Sequence, residues 1–252
     1  MTLMPAEPVA SSMSEEERRA RIDLAACFRL ADHFGWSLVT WNHITAKVPG
    51  SAEHFLINQN GLRFDEITAS NLVKVDKDGT IIDGPDNVPV AGFVIHSAIH
   101  RARDGIGAVF HTHTDDGLVV AAMKDGLLPL VGDNAYVYGD VAFHPYEGVS
   151  DDLSERERMA RNLGDKNCLI LQNHGLLTVG RDVAEAFMRM YWLNQACRVQ
   201  VKLLSTGAPY QVIPPDVLEH TRRQLIDDFA PGRHEWPGLL RLAHKLDPAF
   251  AD

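Results

Sequence analysis

Three histidines stand at the ends of two apolar segments that are typical of buried strands. His111 and His113 follow the run Ile106–Phe110, and His174 follows Cys168–Gln172. Side chains two positions apart on a strand project from the same face, so His111 and His113 could share one ligand. If the two strands lie side by side, His174 joins them, and three imidazoles are a common ligand set for a catalytic divalent metal. The alternative is that these are ordinary histidines at strand ends.

The patterns around these histidines predict a mixed α/β domain. Helical periodicity predicts three principal helices, the first capped by Ser14 and running to about Phe34, the others at Phe93–Arg103 and Asp182–Leu204. Shorter helices are expected at Asp115–Met123, from Ser150 or Ser154 to about Leu163, and at Pro215–Phe229. Besides the two apolar runs, strands are expected at Ser37–Thr40, His43–Val48, His54–Ile57, Asn71–Val75, Thr80–Asp83, Val137–Phe143 and Gly175–Val179. The expected division is a flexible 1–13, one domain over 14–207 and a helix–loop extension over 208–252.

Composition and charge argue against nucleic-acid and membrane partners. The 252 residues carry a formal net charge of -10, which argues against a nucleic-acid binder, because such proteins present basic surfaces. No apolar run approaches the roughly 20 residues that cross a bilayer, and no secretory signal precedes the domain, so no membrane partner is expected. The three cysteines are far apart and form no disulfide pattern. The sequence therefore predicts a cytoplasmic protein with a small-molecule substrate.

Several short segments between Trp41 and Gly207 resemble one known family. They are Asn42–Ala46, Asn60–Leu62, Ala91–Ile99, His111–Thr114, Ala122–Pro129, Asn162–Gly164 and Asn173–Leu176. In this order they are similar to the class II aldolase/adducin family, and particularly to its adducin head-domain branch and bacterial relatives. The resemblance implies an α/β/α sandwich around a central, mainly antiparallel β-sheet. It also implies a homotetramer with active sites at subunit interfaces.

The resemblance makes His111, His113 and His174 the ligands of one divalent metal ion. Zinc is the first choice, and manganese, iron and cobalt stay open because three imidazoles suit all of them. Sugar-phosphate aldolases of the family carry Pro-Ser-Ser and an acid where this chain has Pro89-Val90-Ala91-Gly92. Gly92 therefore replaces a carboxylate that serves as metal ligand and acid/base, and Val90 and Ala91 replace phosphate-binding hydroxyls. Because buried phosphate oxygens without partners are costly, a sugar phosphate is not expected as substrate.

Five further residues are candidates for the site. His96, on a predicted helix, and Tyr138 are candidate catalytic residues, although packing or a hydrogen bond to a strand end would also explain His96. The family's interface tyrosine cannot be aligned to one position, so Tyr138 is one of several choices for a proton donor. His43, Asn60 and Gly61 are candidate substrate-binding residues, and a turn would require Asn60 and Gly61 in any case.

The predicted function is a metal-dependent lyase acting on a non-phosphorylated small carboxylate or carbonyl compound. A decarboxylase of a hydroxylated acid, aromatic acids included, fits the missing carboxylate, because decarboxylation needs no base to remove a substrate hydroxyl proton. Two alternatives stay open. One is an aldolase acting on a substrate that is not a sugar phosphate, and the other is a non-catalytic interaction module like the adducin head.

Overall fold

The core of the chain is a single mixed sheet of eight strands, seen in a computed structural model that describes residues 13–51, 53–148, 155–228 and 231–252. The strand order is β4-β3-β2-β1-β5-β8-β7-β6, and only the β6–β7 pair is parallel. The strands are β1 (His43–Lys47), β2 (His54–Ile57), β3 (Val73–Asp76), β4 (Ile81–Asp83), β5 (Ala108–Thr112), β6 (Val141–His144), β7 (Cys168–Leu171) and β8 (Gly175–Gly180).

Helices cover both faces of this sheet. They are α1 (Glu15–His33), α2 (Val90–Ala102), α3 (Asp115–Ala121), α4 (Ala135–Tyr138), α5 (Glu155–Leu163), α6 (Val183–Ser205), α7 (Pro215–Asp228) and α8 (Trp236–Leu246). One apolar core joins the sheet to α1, α3, α4, α6 and α8, and a second joins the opposite face to α2 and α5. The α/β/α sandwich around a mainly antiparallel sheet is therefore confirmed. Within the described part of the chain, no helix is both long and apolar enough to cross a membrane.

Alternation along β5 decides which way its histidines face. Phe110 belongs to the core beneath α1 and α6, whereas Val109 belongs to the core beneath α2 and α5. His111 lies two residues beyond Val109 and so continues the α2 face. The strand begins at Ala108 and ends at Thr112, two residues later than the apolar run Ile106–Phe110 suggests. His111 is consequently held inside the hydrogen-bonded ladder rather than beyond its end.

Two strand predictions were wrong. No strand forms at residues 37–40. The chain turns at 38–41, where the Trp41 amide donates to the Leu38 carbonyl at 2.9 Å, Val39 adopts a φ of 50°, and the Leu38 amide donates to Asn42 Oδ1 at 2.8 Å. Val137 and Tyr138 lie on the short helix α4, and the strand begins only at Val141. β-branched and aromatic residues favour strands locally, but here tertiary contacts decide the conformation.

The other elements are confirmed to within a few residues. α1 begins where predicted, since the Ser14 side chain accepts the amide of Glu17 at 3.1 Å. Asp182 caps the long helix α6 in the same way. Residues 1–12 and both proposed caps of α5, Ser150 and Ser154, lie outside the described residues.

The C-terminal segment packs against the first helix and pairs with the loop that precedes β3. Trp236 Nε1 donates to Asp23 Oδ1 at 2.9 Å, and Phe250 lies in the main core. The Ala69 amide donates to the Phe250 carbonyl at 2.8 Å. Residues 231–252 thus share the core of the main domain, and a boundary at 207 stays a prediction.

Candidate metal centre

The structure brings His111, His113 and His174 together at one edge of the sheet. β5 and β8 are neighbours, with Thr112 opposite Leu176, and His174 lies in the turn that joins β7 to β8. The ring centroids are 4.7 Å apart for His111 and His113, 4.9 Å for His111 and His174, and 5.0 Å for His113 and His174. One nitrogen from each ring lies within 4.8 Å of the other two. Within the described residues, no carboxylate or cysteine joins this group.

A tight turn places His174. Asn173 has a φ of 56°, in the left-handed region, and its amide donates to the Ala121 carbonyl at 3.1 Å. Gly175 follows in close contact with β5: a Cβ atom there would lie 2.6 Å from the Thr112 carbonyl oxygen and 2.8 Å from His113 Cδ2. Only glycine allows the backbone of β8 to approach the histidines this closely.

Hydrogen bonding fixes which nitrogen His111 presents. Its Nδ1 lies 2.9 Å from the Leu176 carbonyl oxygen, which can only accept, so Nδ1 carries the proton. Nε2 of His111 then carries a lone pair, and this atom lies 2.9 Å from Nε2 of His113. A backbone carbonyl that orients a histidine in this manner is the usual partner of a metal-ligating imidazole.

Electrostatics keep the three imidazoles neutral. Burial, reinforced by the other histidines, lowers the pKa of His111 well below its ordinary value and that of His113 to about 4. Burial likewise lowers the pKa of His174. Neutral imidazoles are the form that binds metal, and zinc–nitrogen bonds of about 2.0–2.1 Å suit nitrogens this close together. The donor set and its spacing therefore fit one divalent ion.

His43 and His96 form a second layer next to the three histidines. His43 lies opposite His111 in the β1–β5 ladder, and their rings are 5.1 Å apart. Burial, with the charges of His113 and His174 adding to it, lowers the pKa of His43 to about 3. His96 comes from α2, and its Nε2 lies 2.8 Å from His43 Nδ1. His96 thus contacts His43 rather than completing the group of three.

Asn60 and Gly61 occupy an exposed turn after β2. Gly61 has a φ of 86°, and the Asn60 amide donates to the Asn87 carbonyl at 2.9 Å. Because β2 ends opposite Thr45, this turn leaves the sheet at the same edge as His43. The turn conformation by itself accounts for these residue types.

Tyr138 lies on α4, and its side chain is hydrogen-bonded to a neighbouring loop. Its hydroxyl accepts the Leu130 amide at 3.2 Å, and burial raises its pKa. Its described contacts do not bring it to the three histidines. A different tyrosine, Tyr146, lies with its ring 6.3 Å from that of His174 and with more than half of its surface exposed. No local signal in the sequence distinguishes Tyr146 from the other tyrosines.

A polar cavity of about 480 Å³ opens beside His113. It is lined by His113, Trp36, Asp116, Asn194 and Arg198, among others. Arg198, an exposed residue of α6, also lines this cavity, and guanidinium groups bind carboxylates with matching geometry. The side chains of Val90 and Ala91 lie outside the described part of the chain, whereas Gly92 is described and buried.

Comparison with known proteins gives one consistent result. Residues 22–201 match the family model described as the Class II Aldolase and Adducin N-terminal domain. A crystal structure of an aldolase II superfamily protein from Pseudomonas syringae is 45% identical, covers 96% of this chain and 98% of its own, and superposes with a TM-score of 0.90.

Two further relatives are a named enzyme and an adducin. The L-fuculose 1-phosphate aldolase of Glaciozyma antarctica is 30% identical, with 96% of this chain and 95% of that chain covered and a TM-score of 0.83. Mouse alpha-adducin is 47% identical over 202 residues, which are 78% of this chain and only 27% of alpha-adducin. The chain therefore resembles both a named enzyme and part of a larger protein.

Proposed function

Because this chain belongs to the class II aldolase and adducin N-terminal domain family, we propose that it is a divalent-metal-dependent lyase. Its substrate is a non-phosphorylated small carboxylate or carbonyl compound, and the reaction we favour is decarboxylation of a hydroxylated acid. The observation that carries this proposal is the group of three neutral imidazoles, His111, His113 and His174, around one point.

The residues of the centre have separate roles in the proposed reaction. The three histidines hold the ion, and the Leu176 carbonyl keeps His111 in the tautomer that presents Nε2. A divalent ion bound there would supply a Lewis acid that draws electron density from a substrate carbonyl or carboxylate. For a substrate carboxylate we propose Arg198, which lines the same cavity as His113.

The ligand set supports decarboxylation over aldol cleavage. Aldol cleavage needs a base that removes a substrate hydroxyl proton, and the family resemblance places a carboxylate for this at residue 92, which is glycine here. No carboxylate among the described residues replaces it at the three histidines. Loss of carbon dioxide requires an electron sink and a later proton donor, and for the donor we propose Tyr146, beside His174.

The experiment is a panel of hydroxylated aliphatic and aromatic acids, tested for carbon dioxide release by protein loaded with zinc, manganese, iron or cobalt. We expect release from at least one acid, loss of it with a chelator, and none from the H111A/H113A/H174A variant. A panel with no release would reject the decarboxylase. Condensation of dihydroxyacetone phosphate with any aldehyde would reject the choice of a non-phosphorylated substrate.

The likeness to alpha-adducin favours a second function, a non-catalytic interaction module. The two functions differ in their need for metal, because an interaction module has no use for three convergent neutral imidazoles. The family resemblance also leads us to propose a homotetramer, which light scattering coupled to size-exclusion chromatography would test.

A further inference from the structure

Four buried polar side chains form a continuous hydrogen-bonded chain beneath the candidate metal centre. His43 Nδ1 lies 2.8 Å from His96 Nε2, and His96 Nδ1 lies 2.7 Å from Thr45 Oγ1. Thr45 Oγ1 also lies 2.9 Å from His100 Nε2, and His100 Nδ1 lies 3.4 Å from the Ile106 carbonyl oxygen. All four side chains are at least nine-tenths buried.

The arrangement follows from one strand and one helix. His43 and Thr45 are two residues apart on β1 and therefore face the same side of the sheet. His96 and His100 are four apart on α2 and face the same side of the helix. These four side chains thus form a polar seam between β1 and α2, and this seam is called the histidine relay below.

The relay has a direction set by its far end. A carbonyl oxygen can only accept, so His100 Nδ1 carries the proton and its Nε2 accepts from Thr45. The single hydroxyl proton of Thr45 is then used, so Thr45 accepts from His96 Nδ1. His96 Nε2 in turn accepts from His43 Nδ1. His96 and His100 each use one ring nitrogen as donor and the other as acceptor, so both rings are neutral. A neutral His43 ring that donates from Nδ1 carries its lone pair on Nε2.

The ring that carries this lone pair lies beside the candidate metal centre. The His43 ring packs against His111. Its Nε2 would lie 3.2 Å from a Cβ atom at Gly92, so it borders the place of a missing side chain. An imidazole nitrogen in this position is a hydrogen-bond acceptor with a fixed direction, which suits a hydroxyl donor.

We propose that Thr45, whose hydroxyl direction is set by His100, acts through His96 to hold His43 in its Nδ1-protonated tautomer, so that Nε2 accepts a hydrogen bond from the hydroxyl of a bound hydroxy acid. His43 is then the residue that selects hydroxylated substrates, and Thr45 is a positioning residue. The part that concerns the substrate rests on the proposed function, whereas the tautomer does not.

The tautomer is tested first, on metal-free protein. Nitrogen-15 NMR of histidine-labelled protein distinguishes the protonated from the unprotonated ring nitrogen. We expect His43 to show a protonated Nδ1 in wild type and in Thr45→Ser, and a mixture of tautomers in Thr45→Val. Thr178→Val is the matched control, because Thr178 is a buried strand threonine that donates to the Ala186 carbonyl outside the relay. If Thr45→Val does not fold, the wild-type spectrum decides the tautomer alone.

The substrate contact is tested on cobalt-loaded protein with glycolate and methoxyacetate. In methoxyacetate a methyl group replaces the hydroxyl proton, so this acid cannot donate the hydrogen bond. We expect the ratio of the two affinities to fall by about two- to tenfold in Thr45→Val, the effect of one hydrogen bond, and to persist in Thr45→Ser and Thr178→Val. A protonated Nε2 in wild type, or an unchanged tautomer in Thr45→Val, would overturn the relay. An unchanged affinity ratio would overturn the substrate contact. Failure to bind cobalt would reject the proposed metal centre and leave the relay to the NMR result.

Discussion

The ring of His43 fills the space that a side chain at Gly92 would need. A Cβ atom at residue 92 would lie 2.7 Å from His43 Cδ2 and 2.8 Å from His43 Cγ. Real Cβ atoms do not approach ring atoms so closely, and the ring is held from its other side by His96. The two positions are therefore complementary: this centre has an imidazole from β1 where the family resemblance places a carboxylate on α2.

We expect Gly92→Ala to lower the free energy of unfolding by about 1–3 kcal/mol, the usual cost of overpacking a core. The new methyl group must displace His43 or shift α2. Urea denaturation measures the effect. Gly132→Ala is the control, because a Cβ atom there has no neighbour within 4 Å.

The contact with His43 can be isolated by a double-mutant cycle. In a His43→Ala background, the space is empty, so Gly92→Ala should cost much less than it does alone. Equal costs for Gly92→Ala and Gly132→Ala would contradict the packing described.

Gly175→Ala should weaken metal binding rather than merely destabilise the fold. The added methyl would lie 2.8 Å from His113 Cδ2 and 2.6 Å from the Thr112 carbonyl oxygen, so His113 must move. We expect the affinity for cobalt to fall at least about tenfold, comparable to the loss of an orienting partner at a metal site. Cobalt absorption spectra measure it.

The control for this variant is Gly238→Ala, on α8, where the nearest atom to an added Cβ is the end of the Arg241 side chain at 3.7 Å. Wild-type cobalt affinity in both variants would show that Gly175 is not needed to place His113.

The metal-free protein should lose stability in mild acid. Burial lowers the pKa of His100 in the folded state to about 3, against about 6.5 in the unfolded chain. Between these values the unfolded chain binds the proton and the folded one does not. The stabilisation is thus complete above about pH 6.5 and declines as the pH falls toward 3, by up to about 1.4 kcal/mol per pH unit for this residue.

His100→Gln removes the titrating group and keeps an acceptor for Thr45. Urea unfolding from pH 7 to pH 4 should show a shallower slope in this variant than in wild type. The control His33→Gln, at an exposed position near the end of α1, should retain the wild-type slope. Identical slopes for His100→Gln and wild type would mean that His100 is not held neutral by burial.

Local patterns predicted much of the fold. α1 and α6 carry a cap residue and a long periodic apolar face, and β5, β7 and β8 are mainly apolar and buried on both faces. These signals are contained in the elements themselves. The segment 37–40 was predicted as a strand because residues such as Val39 favour strands. In the structure Val39 adopts a left-handed conformation within a turn, which no local signal in the sequence indicates.

The three-histidine group could be predicted from the sequence, because it depends on residues at the ends of recognisable strands. His111, His113 and His174 follow apolar runs, so their convergence required only that β5 and β8 be neighbours. For the histidine relay, the sequence indicates two separate pairs of residues but not the contact between them. His43 with Thr45 and His96 with His100 are local pairs, but nothing local to β1 or α2 shows that the two pairs meet, because they are about 50 residues apart in sequence.

The most direct test is the metal content of the freshly purified protein, measured by mass spectrometry beside the H111A/H113A/H174A variant. We expect about one divalent ion per chain in wild type and none in the variant, with the fold of the variant checked by circular dichroism. A wild-type protein that holds no ion, and takes up none of zinc, manganese, iron or cobalt on dialysis, would show that the three histidines do not form a metal centre.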